Sequence, residues 1–522
     1  MSVGREIPEE HDPNKSYGTV SSRPTASSSD SAHDEESPLL TRITSTSSAL
    51  TVPTQGYGTE LVALIIRTIP ISCSFACQNI VQAISVQFAG HLGTAEIAAV
   101  AYGYGLAGAT GQMMAIGGAT ALDTLCSQAQ TRLRDKPHIQ GVCLQKGLLV
   151  LSLVFLLVVA PLWIFSNHVF AALGLKEEHA QMTSTFLRIY LPGGLFQVQA
   201  ECIKKVLQVQ GLSSAVTWNV FASSCVAILT NYLLIFHSPL GYMGAPVAHT
   251  IYQFLALVFL SAFWMRNPIA RSCWGGWSME ALKGWWEFIK LAVTGILTVA
   301  TEWWSFQAIA IMCARLDTIS VATQSILMVS DVVFATIPLG LSVSSSIRIG
   351  NLLGLGDYRG LKRFVRVPYL FTLCVGACIF TALFSSRHVF GRMFSDDPAV
   401  ISYVDRVLTL MAGFQFSDIA SSGGSGMLRG AQKNHLAGLS NLLGYYAVGL
   451  PLAWWFCFRK GMGLKGLWSG QILGSVTLAL VQVVFLTTMD WKKETEMSRK
   501  RMEEAAREIE EYEGEEDQDE GA

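Results

Sequence analysis

Apolar stretches of 18 or more residues recur along this chain between about residues 61 and 489, separated by short polar breaks. That length suits a helix crossing roughly 30 Å of hydrocarbon. The pattern predicts spans over 61–88, 95–125, 142–166, 181–208, 215–236 and 244–265. A second set follows over 286–314, 319–346, 367–386, 399–428, 434–457 and 464–489. The expected fold is an all-α membrane protein of twelve transmembrane helices.

The second set repeats the first at an offset of 222–224 positions. Asn79 then falls on Glu302, Gly117 on Gly340, Gln128 on Asn351 and Asn219 on Asn441. Phe236 falls on Phe458, Gly241 on Gly463 and Gly244 on Gly466. Halves of even span number enter the bilayer in the same sense, so a pseudo-twofold axis along the membrane normal relates two six-helix lobes. A site between two such lobes is a transporter arrangement. The domain plan is a tail over 1–55, a first lobe over 56–265, a Trp-bearing connector over 266–284, a second lobe over 285–490 and a charged tail over 491–522.

Basic residues set the orientation. Arg132, Arg134, Lys136, Lys204, Lys205, Arg266, Arg271, Arg359, Lys362, Arg363, Arg366, Arg429, Lys433, Lys492 and Lys493 collect after even-numbered spans. The opposite loops hold fewer, among them Lys176, Arg387 and Arg392. Both termini are therefore expected in the cytosol. The first tail is rich in Ser, Thr, Pro and acids, a composition that predicts disorder. Within it Glu35, Leu39 and Leu40 match an acidic dileucine sorting signal, which a sorting adaptor would read; this favours the vacuolar membrane over the plasma membrane.

Only 15% of residues are charged, against about 25% in soluble domains. The eleven cysteines are odd in number and form no C-x-x-C, so they read as small buried apolar residues rather than metal or disulfide partners. No Walker A, H-E-x-x-H or G-x-S-x-G pattern occurs. The chain is thus expected to be neither an enzyme nor an ATP-driven pump, and to bind no metal, cofactor or nucleic acid.

A carboxylate within a span costs at least a few kcal/mol and calls for a reason. Asp123, Glu302, Asp331 and Asp418 are such groups, three of them in the second half. At an offset of 223, Glu302, Asp331 and Asp418 face Asn79, Gly108 and Leu195, so the second lobe holds acids that the first lacks. Asp123 lies near Arg132 and Arg134 and suits a structural pairing as well as a functional one. Glu302 and Asp418 have no Lys or Arg nearby in sequence. Burial disfavours the charged form of a carboxyl group, so such a group can exchange a proton for an organic cation. Aromatic faces attract such cations; Trp303, Trp304 and Tyr446 are the candidate cavity aromatics. Pro70 and Pro338, with Gly117 and Gly340, mark places where helices can bend.

The segments Gly90–Ala99 (GHLGTAEIAA), Ala121–Gln128 (ALDTLCSQ) and Leu207–Gly211 (LQVQG) resemble the eukaryotic, particularly fungal, form of the multidrug and toxic compound extrusion (MATE) family. So do Glu302–Trp304 (EWW), Ile337–Ser342 (IPLGLS), Ile347–Gly354 (IRIGNLLG), Leu428–Gly430 (LRG) and Gly466–Trp468 (GLW). These lie in the family's order between residues 90 and 468. The resemblance implies a two-lobe antiporter, working as a monomer, that exports organic cations and other xenobiotics or metabolites against inward H+ or Na+. It implies that the Glu of the E-W-W motif, Glu302, and the acid eleven residues before the R-G motif, Asp418 before Arg429, couple to cations. Animal members carry a second Glu where this chain has Gln307, and an early span 8 Glu that aligns with Val329, two residues before Asp331. No acid occurs in span 1 at the place that sodium-coupled members use, so H+ is preferred over Na+. The residues assigned to coupling and substrate are Glu302, Asp418, Asp331, Asn79 and Gln307. A lipid-linked oligosaccharide flippase shares the architecture, but it needs a cationic cleft, and Arg67 is the principal mid-span base. A membrane-embedded transferase would need a nucleophile or metal cluster, which the chain lacks.

Overall fold

The computed structural model describes residues 56–132, 137–172, 177–394 and 397–504. Glu35, Leu39, Leu40, Arg134, Lys136 and Lys176 lie outside the described residues. Among those described, every element is helical. Among the described residues, nine helical stretches are long and apolar enough to cross a membrane. They are α1 (Tyr57–Gly90), α3 (His138–Ile164), α5 (Ser213–Phe236), α6 (Gly241–Arg266), α7 (Trp285–Cys313), α8 (Thr318–Leu355), α9 (Tyr358–Met393), α11 (Asn434–Arg459) and α12 (Leu464–Thr488). Three more polar stretches complete the series: α2 (94–132), α4 (Glu177–Val209) and α10 (Pro398–Gly430). A final helix, α13, covers 491–504.

Helices answer the physics of the bilayer, where no water satisfies an open backbone group. Side chains such as Leu157, Val158, Leu229, Leu480 and Val484 are exposed on the outer surface. The interior holds apolar side chains together with many small and polar groups. Ser421, Ser422, Gly423, Gly424, Ser425 and Gly426 of α10 are all buried. Small residues let neighbouring backbones approach closely where lipid gives no hydrophobic drive for association.

The duplication is visible in packing. A Cβ on Gly244 would stand 2.6 Å from the Leu234 carbonyl oxygen, and one on Gly466 would stand 2.6 Å from the Cys457 nitrogen. The lobes also exchange partners. Gly117 of α2 backs onto Ile296 of α7, while Gly340 of α8 backs onto Thr68 and Ser72 of α1. Each half's second helix therefore rests on the other half's first.

The turns after α4 and α10 share one capping geometry. Leu212 donates to the Leu207 carbonyl and Gly211 to that of Gln208; Lys433 donates to Leu428 and Gln432 to Arg429. This double closure needs a left-handed residue after the helix, usually glycine. Gly211 supplies it at φ 84° in the first half, whereas Gln432 adopts φ 60° in the second.

Several expectations are corrected. Lys204 and Lys205 are buried inside α4, and Arg429 inside α10, rather than in loops. Asp123 pairs with Lys205 of α4 at 2.7 Å. α8 runs on to Leu355, past the predicted end at 346, so Arg348 is a buried helical residue. Hydropathy falls at these ends because they face the other lobe instead of lipid. Cys73, Cys225, Cys374 and Cys378 are exposed rather than buried.

Candidate functional site

The acids of the second lobe converge. Asp418 of α10 lies within electrostatic reach of Glu302 of α7 and Asp331 of α8, and Tyr445 of α11 is within reach of all three. Asp331 and Asp418 are buried, and Glu302 is partly so. Gln415, one turn before Asp418, donates from Nε2 to Asp331 Oδ1 at 2.6 Å. Asp418 Oδ1 is buried without a hydrogen-bond partner among the described residues. None of the three acids forms an ion pair with Lys or Arg among those residues. Arg429 acts on Glu302 electrostatically, but its guanidinium donates to Ser342 Oγ.

Neighbouring helices hold this cluster in place. Asn441 Nδ2 donates to the Thr298 carbonyl at 2.7 Å, and Tyr446 OH donates to that of Thr301 at 3.0 Å. These bonds tie α11 to α7 immediately before Glu302. Phe306 packs edge-on against Phe414 at 5.6 Å and lies tilted against Tyr445 at 6.4 Å. α8 is interrupted at Ala335, four residues after Asp331. Pro338 follows and has no N–H to give the preceding turn, so the interruption has a local cause.

Asn79 reaches this region from the other lobe, with Nδ2 donating to the Val332 carbonyl at 3.3 Å. Gln307 is exposed on α7, and five helical residues place it about 140° round the helix from Glu302. Trp303 and Trp304 are 37% and 49% exposed, so the structure does not bring them into the buried cluster. Tyr446 touches α7 through its hydroxyl, whereas the buried Tyr445 faces the acids. Sequence reasoning missed Gln415; its i−3 spacing from Asp418 places both on one helix face.

The first lobe has a counterpart chamber lined by Gln78, Gly108, Gln112, Gln197, His249 and Gln253, with Tyr104, Tyr190 and Tyr252 beside them. Boundaries of α4 and α10 differ by 221 positions, so Asp418 corresponds to Gln197 and not to Leu195. Gly108 corresponds to Asp331. Equivalent places thus hold neutral groups in one lobe and acids in the other.

Most lobe-to-lobe hydrogen bonds gather at one end, where even-numbered helices finish. Arg348 pairs with Glu60, and Thr68 Oγ1 donates to Ser344 Oγ at 3.3 Å. Thr124 Oγ1 donates to the Arg429 carbonyl at 2.9 Å, and Gln432 Nε2 to Gln128 Oε1 at 3.2 Å. α13 spans the same junction: Ser498 donates to Gln128 at 3.0 Å, Arg501 to Gln432, and Glu494 pairs with Lys433 at 2.9 Å.

Comparison with known proteins agrees with this plan. The family model described as MatE matches the chain twice, over residues 70–233 and 295–455. Multidrug and toxin extrusion protein 1 of Oryctolagus cuniculus is 30% identical over 448 residues, covering 84% of this chain and 77% of the relative. An uncharacterized transporter of Schizosaccharomyces pombe is 30% identical, covering 85% and 83% respectively. A crystal structure of the eukaryotic MATE transporter AtDTX14 superposes with a TM-score of 0.80 at 24% identity, over 86% of this chain and all of that one. With the model matched once in each lobe, and relatives matched across both, the chain is a multi-pass membrane protein belonging to the MatE transporter family.

Proposed function

We propose that the chain is a proton-driven antiporter that exports organic cations, with Glu302, Asp331 and Asp418 as the exchanging groups. One observation carries this reading: three buried or half-buried acids share a site, none in an ion pair with Lys or Arg among the described residues, and one oxygen of Asp418 is unbonded there. An acid so placed binds either a proton or a cation, and the first expels the second. Relatives named for multidrug and toxin extrusion support the direction of transport.

The reading extends to the membrane. All twelve long helices cross, and the end joined by Glu60, Arg348 and α13 faces the cytosol, because the basic loops lie there. The described conformation is then closed to the cytosol. The break of α8 at Ala335 gives the acid-bearing segment a hinge independent of the helix end that seals the lobes. The sorting motif at Glu35, Leu39 and Leu40 directs the chain to the vacuolar membrane.

Vesicles carrying the wild-type chain and an imposed pH gradient should move a fluorescent organic cation. Glu302→Gln should lower the rate to that of empty vesicles while leaving the folded protein intact by size-exclusion profile. Equal rates for both proteins would remove the mechanism.

A further inference from the structure

α13 is short and charged, yet it is bound to the bundle along one face. Lys492, Lys493, Glu496, Arg499 and Lys500 are exposed, whereas Trp491, Ser498 and Met502 are buried. The inward residues recur at steps of three and four, which is one side of a helix. A helix this short is marginal in water by itself, so its contacts with the bundle hold it.

Those contacts run from one lobe to the other. Trp491 sits in the core of the second lobe, and its Nε1 donates to the Leu486 carbonyl at 3.1 Å. Glu494 then pairs with Lys433 at 2.9 Å, at the turn that follows α10. Ser498 donates to Gln128 of α2, in the first lobe, at 3.0 Å. Arg501 returns to Gln432, and Met502 packs on Ala129 and Ile139 of the first lobe. Gln128 Oε1 also accepts from Gln432, so α13 closes over the place where α2 meets the turn after α10.

The lobes are in tight contact nearby. Ser127 is 0% exposed and lies against Gly350 of α8, where an added Cβ would stand 1.8 Å from its Oγ. A two-lobe carrier that opens at this end must separate Ser127 from Gly350. It must also free α13 from one lobe, because a rigid helix cannot stay bonded to both.

We propose that α13 is a strap across the lobe junction that holds this end closed, and that its release from the first lobe is a step in opening. Trp491 and the Glu494–Lys433 pair root the strap in the second lobe, while Ser498 and Met502 form its detachable end. The strap thus controls the conformational cycle from outside the bundle, without touching the acid cluster. Its consequence for transport rests on the antiport reading; its hold on the junction does not.

The full chain carrying Ser127→Cys is labelled in detergent with a maleimide, and modification at position 127 is followed by peptide mass spectrometry, apart from the native cysteines. Adding Glu494→Lys sets two ammonium groups together and should speed labelling about fivefold, the scale of one partly exposed ion pair. Reversing the partner as well, Lys433→Glu with Glu494→Lys, should return the rate to within about twofold of the parent. Ser498→Pro breaks the helix at its bond to the first lobe and should speed labelling about tenfold, with the parent's size-exclusion profile. Parent-like labelling in Ser498→Pro, or a reversed pair that labels as fast as Glu494→Lys alone, would overturn the proposal. Vesicles that move no cation, while labelling still follows the strap, would refute antiport and leave the strap standing.

Discussion

The two lobes share one helical plan and treat buried polarity differently. In the first, Gln197, Gln78 and His249 line a chamber without a carboxylate, and the buried acids elsewhere are closed by bases: Asp123 by Lys205 at 2.7 Å, Glu201 by Lys204 and Glu60 by Arg348. In the second, the equivalent region gathers Glu302, Asp331 and Asp418; Gln415 donates to Asp331, and none of the three forms an ion pair with Lys or Arg among the described residues. Removing an ion from water costs several kcal/mol, which a good partner largely offsets. Closed pairs hold structure, and in the proposed antiport the open acids are the groups that exchange protons for cations. One scaffold supports both arrangements because the difference lies in a few side chains, not in the backbone.

The largest effects should fall on these two kinds of acid, in opposite assays. Lys205→Met strands Asp123 in the interior and should cost about 3–5 kcal/mol of stability, read as a lowered melting temperature in detergent. Adding Asp123→Asn should recover most of that loss. Asp418→Asn should leave stability within about 1 kcal/mol while abolishing pH-driven cation transport in vesicles. A large stability loss from Asp418→Asn would erase the contrast.

A smaller effect should separate the equivalent turns. A non-glycine residue in left-handed conformation costs roughly 1–2 kcal/mol. Gly211→Ala should therefore lower stability by about 1 kcal/mol. Gln432→Gly should relieve its strain but remove the bonds to Gln128 and Arg501, so the junction between lobes should open more readily. Labelling of a cysteine placed at Ser498 would measure this, and unchanged labelling would show that the strained residue does not hold the junction.

The smallest effect concerns the starts of α2 and α8. Gly93 precedes α2 with no side-chain cap, whereas Asp317 caps α8, accepting from Ser320 N at 3.2 Å and from its Oγ at 2.6 Å. Asp317→Ala should cost about 1 kcal/mol. The hydrogen bonds from Ser320 hold the Asp317 carboxyl below its ordinary value of 3.8. A folded value below the unfolded one means the contribution is complete above the ordinary value and fades as pH falls through the folded one. The wild type and Asp317→Ala should therefore converge in stability only as the pH falls below the folded value, itself under 3.8, and a gap that persists there would refute the capping role.

Much of this protein was legible along the chain. Spans of suitable length, the repeated pattern of Gly244 and Gly466, and the isolation of Glu302 and Asp418 from nearby bases are local features, and hydropathy reports them because lipid-facing surfaces must be apolar. Errors gathered where helices face protein. Lys204, Lys205 and Arg429 read as loop charges because a buried charge and a solvated one look alike until the partner is known.

The sequence alone determined the class of fold, the duplication and the presence of acids within the spans, since each follows from spacing or composition under the bilayer's constraint on backbone polarity. Only the tertiary structure decided which charges close on each other. It joined Asp123 to Lys205, Arg348 to Glu60 and Gln415 to Asp331 across 82, 288 and 84 positions. Such pairs depend on distances between helices, and no periodicity within one helix records which neighbour will face it.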